Sequence, residues 1–105
     1  MPDAPKLTHT TAMVLHVIDA GSVYGYRIKE ATGLPSGTVY PALRRLEEDG
    51  LIRGHWEKQS SAEAGQRPPR KYYKLTASGK KALEASLSRY PLLARIAEQA
   101  ASEKS

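Results

Sequence analysis

The sequence predicts an α+β fold, mainly helical: three helices, a β-hairpin and a closing C-terminal helix. Three observations carry that expectation. Apolar residues recur at helical spacing in three separate stretches before Gly50. The pattern then switches to strict alternation between Leu51 and Lys58. Helical spacing returns after Thr76.

The first helix is expected from about Thr10 to Ala20, where Val14, Val17 and Ile18 fall at i, i+3, i+4 spacing with Leu15 beside them. Thr8 or Thr10 can cap it, and Gly21-Ser22 ends it. A second helix spans about Tyr24 to Ala31, with Ile28 and Ala31 inward. Gly33 suits the left-handed position past its end, and Leu34 can pack back on the last turn. Pro35 and Ser36 lead into a third helix reaching about Asp49, whose core stripe is Val39, Leu43 and Leu46 with Ala42 alongside. Pro41 lacks an N–H and clashes with a preceding turn. A start at Thr38 would put it in the first turn, where no helical partner is missed; a start at Ser36 stays open.

In the alternating stretch, Ile52, Gly54 and Trp56 share one side and Arg53, His55 and Glu57 the other. A lone tryptophan on a strand is usually core, so Trp56 is expected to be a packing residue. Gln59 to Pro69 is polar and irregular. Lys71 to Leu75 is the second strand, with Tyr73 and Leu75 on one face. Thr76 can cap a last helix from about Ala77, with Leu83 and Leu87 inward. Pro91 kinks or interrupts it, and Leu93, Ile96 and Ala100 continue one stripe.

With 105 residues the chain makes one domain of modest core. Cysteine is absent, which excludes disulfides and thiolate chemistry. No apolar run approaches the roughly 20 residues of a membrane span. The N-terminus has no signal-like stretch, so a cytoplasmic location is the default. The net charge is +5, and residues 53–81 hold the excess: eight Lys/Arg against Glu57 and Glu63. Such confinement suits a surface that meets a polyanion.

Three helices, two of them joined by a tight turn and followed by a β-hairpin, form the layout of a winged helix-turn-helix. The third helix would enter the major groove of double-stranded DNA while the hairpin, or wing, reaches across the backbone. Residues 1–76 would form this DNA-binding domain and residues 77–105 a helical dimerisation segment. Gly37, Pro41, Arg44 and Glu48 point away from the core stripe, flanked by Thr38, Tyr40 and Arg45. Small residues at 37 and 41 permit close approach. Arg44 can reach a guanine edge or a phosphate, and Ser36, Thr38 and Tyr40 can donate to phosphate oxygens. Glu48 is unfavourable beside phosphate, so only the first two turns are expected to contact DNA. A homodimer is expected from apolar positions with nothing else to cover them: Val14 on the first helix, and Leu87, Leu93, Ile96 and Ala100.

The strings Gly25-Tyr26-Arg27-Ile28, Ser36-Gly37-Thr38-Val39-Tyr40-Pro41-Ala42-Leu43-Arg44-Arg45-Leu46-Glu47, Asp49-Gly50-Leu51-Ile52 and Arg70-Lys71-Tyr72-Tyr73-Lys74-Leu75-Thr76 closely resemble the PadR family of transcriptional regulators. The resemblance covers roughly residues 7 to 88. It implies a cytoplasmic homodimer, usually a repressor, that binds inverted repeats. Position by position it implies DNA contacts at Tyr26, Ser36, Thr38, Tyr40 and Arg44, and wing contacts at Arg67, Arg70 and Lys71. It also implies that Trp56 packs under the wing. Some such regulators respond to phenolic acids or hydrophobic drugs. The short C-terminus here resembles that of the small subgroup whose single last helix builds the dimer. It has no aromatic residue after Tyr90, so a small-molecule effector finds no support in the sequence.

Rival readings find less. His9, His16 and His55 are scattered, and His9 and His16, though on one helix face, have no third ligand, so neither a metal nor another cofactor is expected. The glycines are dispersed as turn and cap residues, with no phosphate-binding loop and no paired acid–base carboxylates, which speaks against an enzyme. A protein-binding winged helix should show apolar anchors on the third helix, where this chain has Thr38, Tyr40, Arg44 and Arg45. A non-specific architectural DNA-binding protein stays open as an alternative.

Overall fold

The computed structural model describes residues 7–58, 60, 64–89 and 95. Its elements are α1 (His9–Asp19), α2 (Gly25–Thr32), α3 (Ser36–Glu48), β1 (Ile52–Trp56), β2 (Lys71–Leu75) and α4 (Ala77–Arg89). This is the mainly helical winged-helix arrangement that the sequence predicts.

Thr8 caps α1. Its Oγ1 accepts from the Thr11 amide at 3.1 Å, and the Thr11 hydroxyl accepts in return from the Thr8 amide at 2.9 Å. This reciprocal pair satisfies two amides that the helix cannot. α1 lies at the centre of the fold, in contact with α2, α3, α4 and β2. Val14, Leu15 and Val17 are accordingly almost fully buried. The expectation that Val14 faces a second subunit is therefore corrected: its own chain covers it on several sides. Helical spacing marked the apolar positions of α1, but it cannot say whether the cover comes from within the chain.

Gly33 closes α2 in the left-handed conformation, at φ +73°, and its amide donates to the Lys29 carbonyl at 2.8 Å. The turn is tightened by Thr32, whose hydroxyl donates to the Ile28 carbonyl and accepts from the Leu34 amide. α3 takes the earlier of its two possible starts. The Pro35 carbonyl accepts from the Thr38 and Val39 amides at 2.9 and 3.0 Å, which leaves Pro41 inside the helix. Packing outweighs that lost hydrogen bond, because Val39, Ala42, Leu43 and Leu46 are all buried.

β1 and β2 pair antiparallel, with Ile52 opposite Leu75, Gly54 opposite Tyr73 and Trp56 opposite Lys71. The outer edge of β2 is tied to the link before α2. Tyr24 bridges Tyr72, and the Tyr73 amide donates to the Val23 carbonyl at 2.7 Å. Thr76 then starts α4 as expected. Its hydroxyl accepts from the Gly79 amide at 3.0 Å and donates to the Gly50 carbonyl at 2.7 Å, while its own amide donates to the Leu51 carbonyl at 3.0 Å. Gly79 lies so close that a Cβ there would come within 3.0 Å of the Leu51 carbonyl carbon and nearer still to its oxygen. Ala82 and Leu83 join the core, and Leu87 is half-buried. Pro91, Leu93, Ile96 and Ala100 fall outside the described residues. Among the described residues no helix is long and apolar enough to cross a membrane.

Candidate nucleic-acid interface

The stripe that buries Val39, Leu43 and Leu46 forces the opposite face of α3 into solvent. Ser36, Gly37, Tyr40, Pro41 and Arg44 are exposed there, with Thr38 half-buried at the flank. Arg45 is held along its own helix by Asp49, at 3.2 Å. Arg44, in contrast, has no hydrogen bond or ion pair among the described residues, so its guanidinium is available to a partner.

Beside this face lies a groove of about 450 Å³ between the helix-turn-helix and the wing. Tyr26 from α2, Tyr40 from α3 and Trp56 from β1 all line it, together with Arg70 and Lys71. These three aromatics are the large hydrophobic side chains that the described surface leaves open, at 61%, 48% and 67% exposure. Gly25 makes room for Tyr40: a Cβ at that position would stand 2.5 Å from the Tyr40 hydroxyl and 2.8 Å from its ring. Trp56 is not under the wing, which corrects the sequence expectation. The alternation of β1 is kept, and Trp56 shares a face with buried Ile52. The core, however, ends at Ile52 and Tyr73, and at the far end of the strand that same face opens on the groove.

The wing cations are engaged within the chain. Arg67 donates through both terminal nitrogens to the Glu57 carboxylate, with Nη2–Oε2 at 2.8 Å. The Arg70 amide and the Tyr72 hydroxyl donate to the same carboxylate, each at 3.3 Å. The Arg67 guanidinium, helped by these donors, holds the Glu57 carboxyl down at about 2. Lys71 reaches Glu47 of α3 at 3.1 Å, which joins the wing to the helix. The Arg70 guanidinium sits 4.3 Å from the centre of the Tyr24 ring, a cation–π contact.

Residues 14–85, more than half of the chain, match the family model described as the transcriptional regulator PadR-like family. The chain belongs to that family. Its PadR-like fold is similar to that of a PadR family transcription regulator from Clostridium difficile, at 28% identity and a TM-score of 0.68 over 88% of this chain and 97% of that one. It is also similar to a PadR-like transcription factor from Bacteroides fragilis, at 26% identity and a TM-score of 0.65 over 85% and 86% of the two chains. A PadR family transcriptional regulator from Eggerthella lenta gives 28% identity and a TM-score of 0.59 over 81% and 77%. No curated protein matches the chain. The family is one of transcription regulators rather than of enzymes.

Within this PadR-like frame, Tyr26, Tyr40, Arg70 and Lys71 come together around one groove. Ser36, Thr38 and Arg44 run along α3 beside it. Arg67 stands apart, engaged by Glu57. Three residues that matter to this surface carried no signal of it in the sequence: Trp56, Gly25 and Glu47. For Glu57 a hint existed, because it is one of only two acidic residues within the basic segment 53–81. A carboxylate among so many cations is well placed to bind one of them.

Proposed function

We propose that this PadR-like chain is a sequence-specific DNA-binding repressor that acts in the cytoplasm, without catalysis, as a homodimer on an inverted-repeat operator. The observation that carries the reading is the placement of exposed Ser36, Tyr40 and Arg44 on α3 and Tyr26 on α2 on the same side as half-buried Arg70 and Lys71 of the wing, with Tyr26, Tyr40, Arg70 and Lys71 sharing one groove. Hydroxyl donors and cations dominate these positions, as phosphate recognition requires, and the exposed Arg44 can reach a guanine edge or a phosphate. On α3 itself the one large exposed apolar surface is the Tyr40 ring, which also carries a hydroxyl donor. Residues 1–76 serve as the DNA-binding domain. Residues 77–105 pair two copies through Leu87 and the sequence positions Leu93, Ile96 and Ala100, so that two recognition helices meet two half-sites.

Fluorescence anisotropy of labelled DNA from upstream of the protein's own gene, against a shuffled duplex and at two salt concentrations, tests this. Preference for the native duplex with affinity falling steeply as salt rises is the expected result. Equal binding to both would favour an architectural role. No binding to either at low salt would refute DNA recognition. Arg44→Ala should cost about 1–3 kcal/mol of specific affinity.

A further inference from the structure

The three exposed aromatics of the groove are chemically unequal. Tyr26 and Tyr40 each carry a hydroxyl that can donate to a phosphate oxygen, whereas Trp56 presents a broad apolar ring with one N–H donor. Trp56 stands on the inward face of β1, yet it is 67% exposed and faces Lys71 across the hairpin. An indole left open to water on a polar, cationic surface suits a partner that is charged at intervals and apolar between them.

A duplex that takes α3 in its major groove and the wing across its backbone leaves one sugar–phosphate strand lying between those elements. The groove occupies that position, with Tyr26 and Tyr40 from the helix side and Trp56, Arg70 and Lys71 from the wing side. Such a strand alternates anionic phosphates with flat deoxyribose faces, and the groove offers cations and hydroxyls beside an apolar ring. We propose that the groove seats one sugar–phosphate strand and that Trp56 packs against a deoxyribose face. This rests on the DNA-binding reading above and adds a contact that carries no charge and reads no base.

Trp56 is the single tryptophan, so its emission reports this site alone. The experiment follows intrinsic fluorescence and the anisotropy of labelled DNA in one titration, for the native chain, Trp56→Ala and Trp56→Phe. The native emission should change in step with the anisotropy. Trp56→Ala should lose about tenfold in affinity for the upstream and the shuffled duplex alike, measured at low salt, with Phe restoring much of it. The slope of affinity against salt should stay as in the native chain, because no phosphate contact is lost. The melting temperature of Trp56→Ala should also stay, since so exposed a ring adds little to the core. Saturating anisotropy with unchanged emission and unchanged Trp56→Ala affinity would overturn the proposal while leaving DNA binding intact. A loss confined to the upstream duplex would overturn it in favour of base reading. No anisotropy change with the native chain would overturn both.

Discussion

Replacing Gly79 by alanine should destabilise the protein, although alanine is the better helix former. Helix propensity alone favours alanine over glycine by about 1 kcal/mol. Gly79, however, faces the Leu51 backbone, and a Cβ there would come within 3.0 Å of the carbonyl carbon and closer to the oxygen. Neither partner is the loose end of a side chain. Relief requires the first turn of α4 to lift away from Leu51. That movement strains the hydrogen bonds from Thr76 to the Leu51 and Gly50 carbonyls at 3.0 and 2.7 Å. Overpacking of this kind costs about 1–3 kcal/mol, and the strained hydrogen bonds add about 1 kcal/mol, which together exceed the propensity gain. A net loss of about 1–3 kcal/mol would lower the melting temperature by roughly 4–8 °C for each kcal/mol in a chain of this size. Thermal and urea unfolding at one fixed protein concentration measure it, with Ser78→Ala as a control at the exposed neighbouring position. The control should be neutral or slightly stabilising. A Gly79→Ala protein as stable as the native chain, or more so, would refute the close seating of α4 on Leu51.

Two further substitutions examine the wing and the groove. Glu57 has its carboxyl held at about 2 by Arg67, below an ordinary value of 4.5. A carboxylate lowered on folding contributes stability that is present above about 4.5 and is lost as the pH falls towards 2. Glu57→Gln should therefore remove part of the acid sensitivity in that window; identical acid unfolding profiles for the two proteins would contradict the pairing. Gly25→Ala should push the Tyr40 ring out of its place and weaken DNA binding by about 1 kcal/mol while changing the melting temperature little, because Tyr40 is half exposed. Unchanged affinity would mean that the position of Tyr40 does not matter to the complex.

Much of the fold was legible because local chemistry and packing agree. Gly33 and Thr76 act at the helix ends where their residue types place them, and β2 runs from Lys71 to Leu75 as the alternation indicates. The buried stripe of α3 follows from spacing alone. What spacing could not show was where the cover over an apolar face begins and ends. Val14 is covered by its own chain, and Trp56 lies past the edge of the core although Ile52 on the same strand face is buried. The partners of the wing cations were equally hidden. Arg67 meets Glu57 ten residues away and Lys71 meets Glu47 twenty-four residues away, through a hairpin register and a helix orientation that no local pattern encodes. The start of α3 at Ser36 was open for a different reason: local strain at Pro41 argued one way, and the burial of the whole helix argued the other.

The seam where Thr76 and Gly79 meet Gly50 and Leu51 has a mechanical consequence. It bolts the base of α4 to the chain that leaves the end of α3, with hydrogen bonds in place of a flexible hinge. In a homodimer paired through α4, the angle at which the two copies of that helix cross would then set the distance between the two recognition helices. A one-degree change at the pairing helices would travel through a stiff joint and appear as a shift in reach along the DNA. The dimer would behave as a pair of calipers, its jaws set from the handle.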